Sequence, residues 1–459
     1  MPTLATHTLG CKLNFAETSH LVRRFVDAGY VAVDFHDVAD LYIVNTCTVT
    51  AMAEKKCRMV IRQAVAQNPA AIVAVVGCFA QNAAAEVAKI PGVSLILGND
   101  RKHLLFEEVQ RLQGRAASLP VNPTDDSFAA RRSPDGTLAF SSGDRTRTFF
   151  KIQDGCDYFC TYCAIPFARG RSRSSSIEDT MAMARQIVAT GAKEVVLTGV
   201  NTGTFGLNQN ESFIDLLRQL DQLDGIERYR ISSIEPNLIT DEIIQFVAQS
   251  RHFAHHFHIP IQAGSDVVLK QMHRRYDTAF YADKLAAIKE AMPESCIAAD
   301  LMVGFRGETD LEFERSCQFI ESLPLSYLHI FTYSERPNTA ALKMDGRVPV
   351  HVRRQRSEVM HQLSERKKRA FYEANLDTIQ SVLWESDTHQ LGEGKVGPKS
   401  NAQENCDMVQ LGWTDNYIRV GRPYDPSKVN TLEKVRLAQL LPDDDLFLGI
   451  PVGEEGGSR

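Results

Sequence analysis

The segment GCDYFCTYC places Cys156, Cys160 and Cys163 at a C-x3-C-x2-C spacing. Closely spaced thiolates are the usual holders of iron–sulfur clusters. A zinc site wants four Cys or His ligands, and no fourth with suitable local spacing follows. Three thiolates on a four-iron cluster leave one iron open to an outside ligand. Three structural thiols, or zinc, are the competing readings.

Four more cysteines occupy the first third of the chain. Cys11 closes THTLGC, Cys47 closes LYIVNTC and Cys78 closes IVAVVGC. Each sits just past the carboxyl end of an expected parallel strand. In an open α/β sheet those ends line one edge, where ligands bind. Three thiols far apart in sequence can therefore meet. The competing reading is buried strand-end cysteine, a common fate for this residue. Cys57 lies inside the helical stretch AMAEKKCRMVIRQA and reads as a spare thiol. Cys296, Cys317 and Cys406 receive no role.

The elements that must position these groups follow from hydrophobic period. In the N-terminal third, strand patterns at Leu4–Leu9, Tyr30–Phe35, Leu41–Val44, Ile72–Val76 and Val93–Leu97 alternate with helical ones. Such alternation predicts a parallel, doubly wound sheet. The polar segment PVNPTDDSFAARRSPDG reads as a linker or long surface loop. Six further strand–helix units follow, with strands at Thr148–Ile152, Glu194–Thr198, Arg228–Ser232, Phe257–Ile261, Ile297–Met302 and Leu328–Thr332. Six units fall short of the closed eight-unit barrel and predict a partial one. A basic helix, HVRRQRSEVMHQLSERKKRAFYEA, comes next. Short β-prone pieces at Ile379–Trp384, Met408–Leu411, Asn416–Val420 and Lys434–Leu440 then predict a small antiparallel barrel. The expected fold is α/β with domains at 1–138, 142–372 and 373–441 and a tail at 442–459.

Composition narrows the function. The chain is 44% hydrophobic and 24% charged with a formal charge of −6, so RNA binding must use local basic surface. No apolar run is long enough for a membrane span, and the start MPTLATHTLGCKLN shows no secretory pattern. A cytoplasmic location is expected. There is no P-loop, G-x-S-x-G or H-E-x-x-H. The run HFAHHFHIP (His252, His255, His256, His258) reads as structural rather than metal-binding. Arg145, Arg147, Lys151, Arg169, Arg171 and Arg173 flank the central motif, where a substrate would enter, and are expected as a patch that can meet RNA phosphates. Between His351 and Phe371 seven Lys or Arg stand against two Glu. Arg366, Lys367, Lys368 and Arg369 are the candidates there for RNA phosphates, with a solvated helix face as the alternative. Trp413, Tyr417 and Tyr424, with Arg419 and Arg422, can stack on unpaired bases or fill a barrel core.

The C-x3-C-x-aromatic-C pattern, with Tyr162 in the aromatic slot, resembles the radical S-adenosylmethionine superfamily. TLGCKLN, NTCTVT and GCFAQ are similar to the three cysteine signatures of its methylthiotransferase family. HIPIQAGSDVVLKQMHRRY and FTYSERPNTAA resemble two further signatures, and GWTDNYIRV resembles the RNA-binding TRAM domain. The resemblance implies two 4Fe–4S clusters. Cys156, Cys160 and Cys163 would hold the one that cleaves S-adenosylmethionine to a 5′-deoxyadenosyl radical. Cys11, Cys47 and Cys78 would hold an auxiliary one that presents sulfur. It further implies cofactor contacts from Tyr162, Gly199, Asn201, Ser233, Glu235 and Gln262, with Asp300 deeper on the fifth barrel strand. GFRGET departs from the family pattern by carrying Arg306 where Pro is common. The family acts on a modified adenosine beside the tRNA anticodon or on an aspartate of a ribosomal protein. TLGCKLN, with Lys12, looks most like the branch that methylthiolates N6-threonylcarbamoyladenosine at position 37. Isopentenyladenosine and the ribosomal protein are the alternative substrates, and an iron–sulfur RNA-binding sensor without turnover is the alternative of another class. Implied partners are tRNA, an electron donor such as flavodoxin or ferredoxin, and a sulfur donor.

Overall fold

A computed structural model describes residues 1–114, 138–143, 145–391, 408–441, 443 and 445–452. The expected linker at 120–136, Cys406 and the last residues of the expected tail lie outside these.

The N-terminal sheet contains β1 (Thr3–Thr8), β2 (Val31–Val33), β3 (Leu41–Thr46), β4 (Ile72–Gly77) and β5 (Leu95–Leu97). All are parallel, in the order β2-β1-β3-β4-β5. The strand order reverses beside β1, which makes the β1–β3 edge a topological switch point. Every residue of β3 is buried because helices cover both faces. Tyr42 and Val44 pack into one core with Ile61 and Phe79. Leu41 and Ile43 pack into the other with Leu21 and Phe25. The doubly wound expectation holds.

The central barrel comprises β6 (Ala139–Phe140), β7 (Thr148–Lys151), β8 (Gln153–Asp154), β9 (Arg173–Ser174), β10 (Glu194–Thr198), β11 (Arg228–Ile231), β12 (His256–His258), β13 (Cys296–Val303) and β14 (Tyr327–Thr332). Two sheets, β11-β10-β7-β6 and β12-β13-β14, curve into one wall. Single bridges, Tyr229 to Phe253 and Ser233 to His258, join them. All six expected strand–helix units are present, and the barrel is partial. Phe150, Ile152, Val195 and Leu197 face the outer helices in one large core. On the opposite face, Phe149 and Val196 receive Ala16 of the helix Lys12–Asp27. Phe15 meets Phe149 edge-to-face at 5.6 Å. A helix of the N-terminal sheet thus lies against the concave side of the barrel.

The long helix Val350–Glu373 leads to a closed small barrel of β15 (Ile379–Gln390), β16 (Met408–Thr414), β17 (Arg419–Pro423), β18 (Leu432–Leu441) and β19 (Leu446–Pro451). Two expectations are corrected here. The strand expected from Asn416 begins at Arg419, because Tyr417 turns the chain at φ +65°. The tail expected from 442 instead contains β19, which pairs with β17 and β18 and closes the barrel. Its apolar residues Leu446 and Phe447 are fully buried.

Candidate active site

Cys156, Cys160 and Cys163 lie in the loop beyond β8. Gly155 starts it at φ +70°, where a Cβ would come within 2.0 Å of the Arg171 carbonyl, so only glycine fits. The Cys156 N–H donates to Gly170 O at 3.1 Å, and the Thr161 N–H donates to Met272 O at 3.2 Å. All three thiols are free of disulfides. Tyr158 N–H points at Cys156 Sγ at 3.5 Å, and Arg274 donates to Cys160 Sγ at 3.1 Å. Burial pushes the Cys156 thiol up to about 12 and raises Cys160 and Cys163 as well. Thiols so placed ionise when a cation meets them, and the iron of a cluster would supply that charge. The donor set fits a cluster. Tyr162 packs behind the loop, 6.2 Å from the Phe305 ring.

The expected cofactor residues divide into two groups. A Cβ on Gly199 would meet Gln153 Oε1 at 2.8 Å. That same oxygen accepts from the N–H groups of Val200 and Asn201 at 2.9 and 3.0 Å. Asn201 Oδ1 accepts from Glu235 N–H at 3.2 Å, and the Glu235 carboxylate pairs with Arg274. Gly199, Asn201, Glu235, Arg274 and Cys160 therefore form one continuous rim. Thr198 Oγ1, at the end of β10 below it, is buried without a partner, as suits a site for a polar cofactor. Ser233 turns instead toward the barrel lumen, with its Oγ 2.6 Å from His258 Nδ1. Gln262, at φ +67°, bridges to β13 through its backbone. Arg306, where the family pattern has Pro, donates to Met344 O at 2.6 Å.

The N-terminal thiols converge on the switch-point edge. Gly10, at φ +104°, stands against Cys47: a Cβ there would be 2.9 Å from Cys47 Cβ and 3.1 Å from its Sγ. Cys78 follows Gly77 and accepts from Asn99 Nδ2 at 3.3 Å. Burial, together with the facing Cys78 and Cys11 thiols, pushes the Cys47 thiol up to about 12. Cys57 is fully buried and tied to the Cys47 backbone. It accepts from Cys47 N–H at 3.3 Å and donates to Cys47 O at 3.4 Å.

A buried charge network couples the two triplets, and sequence reasoning missed its hub. Glu17 pairs with Lys151 at 2.6 Å, with Arg169 at 3.2 Å and with Lys102. Asp154 takes Arg169, Lys151 and Arg173, each at 2.8 Å. These cations hold both carboxyls far below the usual carboxylate range despite burial. The Arg169 charge also faces Cys78 and Cys11. Lys102 donates to Asn99 Oδ1 at 2.7 Å, and Asn99 Nδ2 reaches Ala168 O at 2.9 Å. Gln153 and Arg274 were likewise missed. The only signal for Arg274 was its place in the segment HRRY.

The lumen below the rim is polar. His258 Nε2 lies 3.0 Å from Asp300 Oδ1, and the His258 and His329 rings are 5.6 Å apart. The four histidines of HFAHHFHIP disperse. His252 meets Asp221, His255 meets Glu294, His256 lies against Tyr417, and His258 meets Asp300. The lumen floor is Glu194 with Arg228 at 3.1 Å and Arg230 at 2.9 Å. These two arginines also donate to the carbonyls of Ser381, Trp413, Thr414 and Asp415, so the small barrel docks there.

The expected RNA residues fall around this dock. Tyr417 stacks on Trp413 at 4.7 Å, with Arg230 4.7 Å from its ring centre. Both aromatics, with Arg147, Lys368 and Arg419, line a cleft of 510 Å³ between the barrels. Lys368 pairs with Asp445, Arg366 with Glu321 and Arg369 with Glu373, while Lys367 donates to Leu323 O. Tyr424 is half exposed, and Arg422 pairs with Glu433.

Residues 150–320 match the family model for the radical SAM superfamily, and residues 3–98 match one described as an uncharacterized protein family, UPF0004. The radical S-adenosylmethionine methyltransferase TsrM from Kitasatospora setae shares the fold at a TM-score of 0.53 and 15% identity, over 74% of this chain and 77% of that one. The class is a radical S-adenosylmethionine enzyme. The chain is 38% identical over 440 residues to the threonylcarbamoyladenosine tRNA methylthiotransferase MtaB of Bacillus subtilis, covering 95% of this chain and 94% of that protein. Its identity to the Aquifex aeolicus protein of the same name is 36%, covering 81% and 90%. It is 31% identical to a tRNA-2-methylthio-N(6)-dimethylallyladenosine synthase of Syntrophotalea carbinolica, covering 86% and 91%. The chain belongs to the radical S-adenosylmethionine methylthiotransferase family, and its class implies a 4Fe–4S cluster and S-adenosylmethionine. No helix of the described residues is long and apolar enough to cross a membrane.

Proposed function

We propose that this enzyme converts N6-threonylcarbamoyladenosine at position 37 of tRNA to its 2-methylthio derivative. The observation that carries the reading is the near full-length similarity to proteins named for that reaction. Cys156, Cys160 and Cys163 hold the radical cluster, and Cys11, Cys47 and Cys78 hold an auxiliary one. When bound, the two clusters and S-adenosylmethionine supply the electron, the sulfur and the methyl group. Adenine C2–H is neither acidic nor electrophilic enough for acid–base or nucleophilic routes, which is why radical chemistry is needed.

The protein's own part is placement. Gly199, Asn201 and Glu235 form the rim that receives the methionine end of the cofactor, with Tyr162 backing the loop and Ser233 and Gln262 on the neighbouring strand ends. Glu17, Asp154 and Arg169 fix the N-terminal edge against that rim. The small barrel acts as a TRAM domain, and Trp413, Tyr417 and Arg419 with Arg366, Lys367, Lys368 and Arg369 meet RNA. A flavodoxin or ferredoxin supplies electrons, a separate donor restores sulfur, and the enzyme works in the cytoplasm. The test is mass spectrometry of tRNA nucleosides from cells with and without the protein. The 2-methylthio form of threonylcarbamoyladenosine should vanish without it. Loss only of methylthio-isopentenyladenosine, or of the ribosomal-protein modification, would overturn the assignment.

A further inference from the structure

Lys12 follows Cys11 directly and opens the helix that lies on the concave face of the barrel. Its ammonium group is within electrostatic reach of Arg147, Arg230, Glu194 and Tyr417 at the lumen floor. It also reaches His256, Asp300 and His329 on the opposite wall. The other charges there are already matched. Glu194 takes Arg228 and Arg230, Arg147 takes Glu385 at 2.8 Å, and Asp300 is bonded to His258 at 3.0 Å. Among the described residues, the Lys12 side chain has no hydrogen bond and no ion pair. Solvent still reaches it, so the space beside it is open to a ligand. A solvent-reached ammonium without a partner, beside charges that are already matched, is a place for an anion.

We infer that Lys12 is a specificity residue that pairs with a carboxylate on the N6 substituent of the substrate adenine, selecting anionic substituents over apolar ones. The inference rests on the substrate reading above and names how that substrate is told from isopentenyladenosine. The chemistry of the base supports the position. N6 and C2 flank N1 on one edge of adenine. A residue adjacent to a thiol of the N-terminal triplet can therefore touch the N6 substituent while C2 faces that triplet. His258, His329 and Asp300 complete the polar wall around the threonyl hydroxyl and carbamoyl groups. A lysine suits this role because its ammonium is a point charge that donates to one carboxylate oxygen without demanding a planar, two-pronged fit.

The experiment measures binding of anticodon stem-loop RNAs to the holoenzyme. The RNAs carry threonylcarbamoyladenosine, its neutral carboxamide analogue, or unmodified adenosine at the target position. The wild type should bind the carboxylate form roughly ten- to hundred-fold more tightly than the carboxamide. K12M should lose that preference while retaining iron content and the electron paramagnetic resonance signals of both clusters, and K12R should keep part of it. Equal wild-type affinity for the carboxylate and carboxamide forms would overturn the role of Lys12, whatever the variants do. So would a K12M protein that still prefers the carboxylate. Equal wild-type affinity for modified and unmodified adenosine would instead overturn the substrate reading.

Discussion

Four thiols crowd the carboxyl edge of the N-terminal sheet, and their hydrogen bonds separate them. Cys57 both accepts from and donates to the Cys47 backbone, so its sulfur is spent on the turn. Cys57→Ala should keep full iron content and lose about 1 kcal/mol of stability, read by urea denaturation. Cys11→Ala, Cys47→Ala and Cys78→Ala should each lose auxiliary-cluster iron and product formation while reductive cofactor cleavage continues. Loss of iron in the Cys57 variant with normal iron in the Cys78 variant would reverse the ligand choice. Proton linkage gives a second test. Unfolded thiols ionise near about 8.5, whereas Cys47 and Cys156 stay protonated in the folded apoprotein to about 12. The unfolded chain thus sheds these protons first. Apoprotein stability should fall as pH rises from about 9 toward 12, and Cys47→Ala should flatten that fall.

Between single residues and the whole chain, two elements carry distinct loads. Strands β10 and β11 meet the small barrel through Glu194, whose carboxyl the neighbouring Arg230 and Arg228 hold at about 2 despite its burial. Glu194→Gln strands two buried guanidinium groups and should cost about 3–5 kcal/mol. The ionised carboxylate stabilises the fold above its unfolded pKa of about 4.3, and that contribution is lost as pH falls toward 2. The acid limb of the stability curve should therefore be shallower in the variant. The helix Val350–Glu373 presents Arg366 and Arg369 with more than half their side-chain surface exposed. Replacing Arg366, Lys367, Lys368 and Arg369 by Ala should weaken tRNA binding and reduce the salt slope. The slope should shrink by about 0.7–0.9 log units per log salt for each phosphate that the variant no longer neutralises. Iron content should not change. An unaltered slope would assign the helix face to solvent.

At the scale of the whole molecule, the proposed function requires two thiol triplets held in register across an interface. Glu17 does this from the N-terminal helix by binding Lys151 and Arg169 of the central barrel. Glu17→Gln leaves those cations underpaired in a dry interface and should cost about 3–5 kcal/mol. Its more telling effect is separation of the two half-reactions. Reductive cleavage of S-adenosylmethionine needs only the central barrel and should persist. Methylthiolation needs both triplets and should drop at least about ten-fold, as displaced reactants lose effective concentration. Parallel loss of both activities would mean that the network maintains the barrel itself.

What the sequence determined alone is what local spacing and period encode. The C-x3-C-x2-C loop and the strand-end cysteines at 11, 47 and 78 were legible because thiol spacing and sheet-edge geometry are short-range facts. The doubly wound sheet and the six-unit barrel were legible because an apolar period recurs wherever two faces must be buried. Tertiary structure decided everything that depends on distant partners. Glu17 reads in sequence as an ordinary acidic residue of an amphipathic helix, yet its partner Arg169 is 152 positions away. Trp413 and Tyr417 read in sequence as either stacking platforms or barrel core, and docking on the barrel floor sets them against Arg147 and Arg230. β19 escaped notice because acidic residues precede it and only closure with β17 and β18 makes it a strand. The unpaired state of Lys12 likewise exists only once a helix from one sheet enters the concave face of another. Coulomb energy and burial are set by three-dimensional distance, and chain separation carries almost no information about that distance beyond a few turns of helix.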